Sequence, residues 1–434
     1  MSRARSPMWT WGGCALFALI SLCSPRELAA QASASLSFAD FLEAVHRQNL
    51  ELQSSQHAVT AAEAGIAIAK VFPDPVLSGG LAQVDVSGQS APLMSSLGLT
   101  LPIELGGKRA GRIAVAGGEV RIAQAELGET WQRLRAAAAT AYVDALAAEL
   151  VVARKRHTLQ SLERLVAVNE KRVQSGDVGD VALLQSRVEC QRYRAEVLQA
   201  DAEARAARLG LRAYLGNGAD GASGLAEPPS LSGHLTTAPR TFDEAQLQAA
   251  ALRERPDVQA RQRASEAAQA RIALATRNRW IDVSLNVSWQ RSLFSEPFAS
   301  PQYDALSAML SLPLPLSRTY RGELSAAEAN ARGAAAQAEA TAVRATVEVT
   351  QALVRYRATV ERLRLYTQGV LNDAEQVHKA MLYSYQRGSA SLLEVLAAQR
   401  TVDEVNLSYA DALAEHARGL IALERAAGIW DVDF

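Results

Sequence analysis

The side chains best able to bind a metal or move a proton are six histidines, His46, His57, His157, His234, His378 and His416. No two of them stand three or four residues apart, the spacing that places a pair on one helix face, and none has a cysteine neighbour. They read as isolated residues on helix surfaces, so no metal ligand set is expected. Of three cysteines, Cys14 and Cys23 fall in an N-terminal segment of signal type and Cys190 is left alone, which excludes a disulfide framework. No nucleophile elbow or phosphate loop occurs; the adjacent glycines of AGGEV around Gly117 lack the lysine a phosphate loop requires. Catalysis and cofactors are therefore not expected, and function has to come from architecture.

The chain opens with Arg3 and Arg5, an apolar run from about Gly13 to Cys23, and then Ala30-Gln31-Ala32. This is the layout of a secretory signal over residues 1–32, with an apolar run shorter than the about 20 residues of a retained membrane helix. Lipid attachment at Cys23 stays open, although Leu22 is larger than the residue such sites usually place there. The signal removes three arginines and one glutamate, so the formal charge falls from −1 to −3 and no basic footprint for nucleic acid remains. Aromatics are 6% of the chain, while Ala, Glu, Arg, Leu and Gln fill long stretches, a bias toward long helices and coiled coils.

The chain repeats itself. NLELQSSQHAVTAAEAGIAIAK from Asn49 matches RPDVQARQRASEAAQARIALAT from Arg255, 206 residues on. LPIELGGKRAG from Leu101 returns as LPLPLSRTYRG from Leu312, and RVQSGDVGDVALLQSR from Arg172 as SYQRGSASLLEVLAAQR from Ser384, with Gly176 on Gly388. The first repeat is placed at 33–215 and the second at 242–434, joined by a Gly/Pro/Ser-rich connector at 216–241.

Each repeat reads as helix, hairpin, long helix, tight turn and return helix. The first helices are predicted at about Phe38 to Val71 and Phe242 to Arg277. The hairpins are predicted at about 76–105 and 281–316. In the second, Val283, Leu285, Val287 and Trp289 alternate with Ser284, Asn286, Ser288 and Gln290, the period of a strand with one apolar face. Leu306, Ala308, Leu310 and Leu312 alternate after it, as do Leu97, Leu99 and Leu101 in the first. Strands of about 9 to 11 residues suit a tilted membrane barrel. Glu129 to Ser175 contains no Gly or Pro, and Val349, Leu353, Tyr356, Val360, Leu363 and Val370 follow a coiled-coil period. Two hairpins supply four strands, whereas the smallest closed membrane barrels have about eight. If these strands enter a membrane, several chains must share one barrel.

This order of pieces resembles the TolC-like outer membrane factors, the outer membrane efflux protein family. The carriers are the two-fold repeat, the PDP of Pro73 to Pro75 before the first hairpin, and the two Gly-centred turns. The resemblance implies a mainly helical chain with a membrane β part. Three chains would form a homotrimer, with a twelve-stranded barrel in outer membrane lipid and a long α-helical barrel in the periplasm of a Gram-negative bacterium. Pro102 and Pro313 would mark the passage from barrel to tunnel, with Gly111 and Gly322 near the start of the long helices. ELGGKR, Glu104 to Arg109, is similar to the CzcC-like branch, which implies heavy-metal or other cation efflux; multidrug or organic cargo is the alternative.

Matching positions around Gly388 puts Glu394 where the family carries an aperture carboxylate and Tyr385 where a tyrosine holds the aperture closed. Ala182, Ala390 and Ala397 depart from the family pattern. Gly176, Asp177, Gly388 and Ser389 are the implied docking turns for a periplasmic adaptor protein, and the pump partner would be of the resistance-nodulation-division type in the inner membrane. A reading from another class, a soluble periplasmic coiled-coil scaffold, shares the helices but has no use for the four strands. The terminal Phe434 follows a helix and is read as coincidence rather than as a barrel signal.

Overall fold

The computed structural model describes residues 36–83, 85–86, 89–90, 93–216, 230–235, 238–294, 303–315 and 320–434. The signal segment and Cys23 lie outside these residues. The short strand β1 (Leu36–Ser37) leads into α1 (Phe38–Gln48) and α2 (Leu50–Lys70). One continuous helix is expected here, but the structure breaks it at Asn49, whose backbone is extended and whose side chain accepts from the N–H groups of Glu51 and Leu52 at 2.9 and 3.2 Å. The second repeat breaks at the matching point: Arg255 is extended between α6 (Glu244–Glu254) and α7 (Pro256–Arg277), because the residue before a proline is pushed out of the helical region.

The first hairpin is β2 (Val76–Ala82) and β5 (Leu93–Ile103), with the two-residue strands β3 (Asp85–Val86) and β4 (Gln89–Ser90) at its tip. The second is β7 (Val283–Phe294) and β8 (Asp304–Ser311). All four main strands form one antiparallel sheet in the order β2-β5-β7-β8. Its register sorts most of the side chains by face, Val76 and Met309 being the apolar residues opposite Thr100 and Asn286. Leu97, Leu99 and Leu101 stand opposite Trp289, Val287 and Leu285, which in turn face Leu306, Ala308 and Leu310. The other face carries Ser96, Gly98, Thr100, Ser284, Asn286, Ser288 and Ser307. The apolar face is uncovered: Leu77 is 70% and Leu306 78% exposed. A sheet with such a face is not stable against water, which marks this side as a surface for lipid or another chain.

The long helix α3 (Lys108–Gln174) runs 67 residues, roughly 100 Å at 1.5 Å per residue. The start near Gly111 that the family resemblance implies falls in its first turn, and Gly111, Gly117, Gly118 and Gly128 all precede the glycine-free stretch from Glu129. Those glycines belong inside the helix. A Cβ on Gly111 would lie 2.9 Å from Leu274, on Gly118 2.9 Å from Ala267 and on Gly128 3.2 Å from Pro256. Close approach of α7 therefore compensates a propensity cost of about 1 kcal/mol per glycine. The return helix α4 (Asp180–Gly210) and the single turn α5 (Arg212–Leu215) complete the first repeat.

In the second repeat α8 (Arg321–Leu365) passes through a π turn, Tyr366–Val370, into α9 (Leu371–Gln386), and α10 (Leu392–Ala427) returns. Val349, Leu353, Tyr356 and Leu363 are buried and Val360 packs beside them, as the coiled-coil period requires. Val370 does not follow. The wider π turn rotates the face, leaving this residue 42% exposed.

The main core sits halfway along the helices, where Phe38, Phe41, Tyr142, Tyr356 and Ile421 pack together. The connector is not structureless there: β6 (Leu231–Ser232) pairs in parallel with β1, and the Tyr142 hydroxyl donates to the carbonyls of Leu36 and Ser232, both at 2.7 Å. Phe434 packs edge-on against Phe38 at 5.1 Å, so the end of the chain closes this girdle. On the sheet side of the girdle the helices stand in the row α2-α3-α7-α8, and on the other side in the row α4-α3-α10-α9.

Candidate functional site

The two turns farthest from the sheet share one backbone solution. Gly176 follows α3 with φ +80°, its N–H reaching the Val173 carbonyl at 3.0 Å and the Asp177 N–H reaching Arg172 at 2.8 Å. Gly388 follows α9 with φ +77°, and the Gly388 and Ser389 N–H groups reach Tyr385 and Ser384 at 3.0 and 2.9 Å. Only glycine takes this conformation without strain, and a Cβ at either position would touch nothing within 4 Å. The Asp177 carboxylate accepts from Ser175 at 2.8 Å and the Ser389 hydroxyl donates to the Ser384 carbonyl at 3.0 Å. Both turns are exposed.

Glu394 and Tyr385 occupy different environments. Glu394 is an exposed residue in the first turn of α10, and its carboxylate accepts from the Ser391 N–H at 2.7 Å and the Ser391 hydroxyl at 2.9 Å. With the Ser391 hydroxyl accepting from the Glu394 N–H, this is a reciprocal helix cap. Backbone and side-chain hydrogen bonds from Ser391 hold the Glu394 carboxyl below the usual carboxylate range. The sign follows: a depressed folded value contributes stability above the ordinary carboxylate range, and that contribution fades as pH falls through the folded value. Ser391→Ala is expected to cost about 1 kcal/mol in thermal unfolding at neutral pH, with a smaller difference from wild type in acid.

Tyr385 is buried in a cluster with Leu162, Leu165, Tyr193, Leu392 and Val395, drawn from all four helices near the turns. Its hydroxyl donates to Asn169 Oδ1 at 2.6 Å, while the Arg172 guanidinium lies 4.7 Å from its ring centre and donates to its carbonyl at 3.0 Å. It joins the α9–α10 hairpin to the last turns of α3.

Two polar rungs farther along the same interface were not anticipated. The Asp403 carboxylate of α10 accepts from Thr158 of α3 at 3.0 Å and from the Tyr193 hydroxyl of α4. Burial and the Asp403 carboxylate push the Tyr193 phenol far up. Glu189 accepts from Arg192 at 2.7 Å and from Arg400 at 3.1 Å. Burial drives the Glu189 carboxyl upward, but the two guanidinium groups outweigh it and leave it below the ordinary range. The only sequence signal for these residues, and for Asn169, is a polar side chain at a seam position.

At the opposite end, ELGGKR forms a joint. Leu105 N–H and Lys108 Nζ both donate to the Asp282 carboxylate, at 3.1 and 2.7 Å. Glu104 pairs with Arg112, and Arg109 donates to the Lys70 carbonyl at 2.6 Å while lying over the Phe72 ring. Gly106 and Gly107 have φ +71° and +70°, and a Cβ on Gly106 would come within 2.4 Å of Trp280. The chain thus bends from β5 into α3 at these two glycines. Pro102, expected at that bend, is still within β5, opposite Ser284 and past the last β2 pairing at Thr100, where a missing N–H costs least. Pro313 lies in the exposed segment after β8.

Among the described residues no three His, Cys, Asp or Glu side chains are grouped to hold a metal ion. His416 corrects the surface reading: it is 1% exposed, packed against the Tyr356 ring at 5.3 Å, and its burial holds the imidazole below the ordinary histidine range.

Known proteins share this layout. The cobalt-zinc-cadmium resistance protein CzcC of Cupriavidus metallidurans is 24% identical over 404 residues, covering 93% of this chain and 92% of that protein. The outer-membrane channel OprN superposes with a TM-score of 0.73 at 22% identity, over 90% of this chain and 89% of its own. CusC, whose structures concern folding and transmembrane channel formation, gives 0.73 at 19% identity over 92% and 93%. The sequence pattern of the outer membrane efflux proteins matches residues 42–217 and 247–429, almost the whole described chain. With both repeats matched, one sheet shared between them and the helical rows leading away from it, the chain belongs to the outer membrane efflux protein family.

Proposed function

We propose that this outer-membrane protein is the exit duct of a tripartite efflux system, a homotrimer through which an inner-membrane pump and a periplasmic adaptor discharge heavy-metal cations. The observation that carries this reading is a set of matched open edges. The sheet ends in β2 on one side and β8 on the other. The helical rows end in α2 and α8 next to the sheet, and in α4 and α9 near the turns. At every level one edge comes from the first repeat and the other from the second, which is the head-to-tail contact that closes a ring. Exposed apolar residues line the helical edges, Val181, Leu184 and Val188 on α4 and Val377 on α9. Three copies would supply twelve strands, above the minimum of about eight for a closed barrel.

The cation cargo is supported by likeness to a cobalt-zinc-cadmium resistance protein along most of both chains. A duct needs no tight cation site, because conduction requires release. The exposed turns at Gly176, Asp177, Gly388 and Ser389 are the surfaces offered to the adaptor. In this reading Tyr385 braces the aperture from inside each protomer, and Glu394 adds negative charge to the ring of helix ends.

The native mass of protein extracted from outer membranes is expected to be that of a trimer; a monomer or dimer would refute the ring. Deleting the gene in its host is expected to lower tolerance to cobalt, zinc or cadmium, whereas loss of dye and detergent tolerance alone would replace the metal reading by organic efflux. Tyr385→Phe removes the bond to Asn169, worth about 1 kcal/mol net, and is expected to raise the open fraction severalfold in planar bilayers. Unchanged conductance would show that this bond does not hold the tip.

A further inference from the structure

Where the sheet meets the helices, Leu105, Ile281, Val283 and Leu312 wall a cleft of about 500 Å³, rimmed by Arg279 and Trp280. Val283 and Leu312 continue the apolar rows of β7 and β8, so the cleft is the foot of the lipid-facing surface. It lies below β5, β7 and the end of the edge strand β8, away from the β2 edge. Trp280 is 64% exposed, with its ring held in place against Gly106. The charges around it are unbalanced toward the positive. Lys108 and Arg112 are paired with Asp282 and Glu104, but among the described residues Arg277 reaches only the Gly107 carbonyl and no carboxylate lies within ion-pair distance of Arg279.

From this juxtaposition we infer that the cleft is a binding site for one glycerophospholipid of the periplasmic leaflet, its phosphate on Arg279, its glycerol region against the Trp280 ring and an acyl chain along Val283 and Leu312. Three features support that occupant. The cleft is continuous with the face that meets lipid. An indole is the side chain whose amphipathic ring suits the headgroup level of a bilayer. A guanidinium without a carboxylate partner matches a phosphate in charge and in hydrogen-bond geometry. The site would pin the joint at a defined depth, because the same Trp280 ring packs on Gly106, the bend between barrel and tunnel.

The inference rests on the apolar sheet face being the lipid face, and the test separates the two. Protein purified from outer membranes, stripped of lipid and titrated with dioleoylphosphatidylglycerol in native mass spectrometry is expected to retain one tightly held lipid per protomer. Arg279→Ala is expected to weaken that binding about tenfold without changing the oligomer. Equal retention by the wild type and this variant would overturn the site. Independently of that variant, tryptophan fluorescence is measured in proteoliposomes whose phospholipids are brominated in the acyl chain. The contributions of Trp280 and Trp289 are obtained by difference from Trp280→Phe and Trp289→Phe. Quenching of both supports the site. Quenching of Trp289 alone refutes the site and leaves the lipid face standing, and quenching of neither removes the lipid face and the site together.

Discussion

Val287→Lys is expected to be missing from the outer membrane, whereas Ser288→Lys assembles. The two residues are neighbours in β7 but face opposite ways: Val287 stands between Leu99 and Ala308 on the apolar face, and Ser288 between Gly98 and Ser307 on the polar one. A lysine facing lipid near the middle of a barrel costs about 2–4 kcal/mol per chain and much less near an interface, and a symmetric ring multiplies that cost by its number of copies. Leu285→Lys, two residues nearer the helices, should therefore be the milder defect. The check is membrane fractionation followed by native mass. Val287→Lys assembling as well as Ser288→Lys would mean that this face does not meet lipid.

Gly106→Val should unfold the joint between barrel and tunnel. The substitution combines a left-handed φ of +71°, which costs a residue with a Cβ roughly 1–2 kcal/mol, with a Cβ only 2.4 Å from the Trp280 ring, overpacking worth roughly another 1–3 kcal/mol. Gly107→Ala is the control, because its φ is +70° and a Cβ there meets nothing within 4 Å. Thermal unfolding of the purified oligomer is expected to rank wild type above Gly107→Ala and Gly107→Ala well above Gly106→Val. Equal midpoints for the two variants would show that the Trp280 contact is not what requires glycine at 106. The result also bears on how ELGGKR is read. Each of its polar side chains is engaged in the joint, to Asp282, Arg112, Lys70 or Phe72. The motif thus describes the bend itself.

Local pattern was enough for the architecture. Alternation in Val283 to Trp289 identified a strand and its apolar face, because side chains of a strand point to opposite sides whatever it pairs with. Gly176 and Gly388 marked the turns, because a left-handed residue after a helix needs glycine regardless of its surroundings. The tandem repeat and the count of four strands then demanded several chains for one barrel. Tertiary structure decided wherever a residue answers to a partner far away in sequence. Gly111, Gly118 and Gly128 look like helix breakers until α7 is laid against them, about 150 residues later. Val370 keeps the heptad in the sequence and loses it in space, since the π turn that ends on it shifts the register. Glu394, by contrast, has a local partner: Ser391, three residues earlier, whose bond to it caps a helix. Tyr385 and Asp403 both join helices from opposite repeats, to Asn169 in one case and to Thr158 and Tyr193 in the other. Their worth depends on burial between those helices, where an unmet hydrogen bond costs most, and burial is a property of the packed repeats rather than of either one alone.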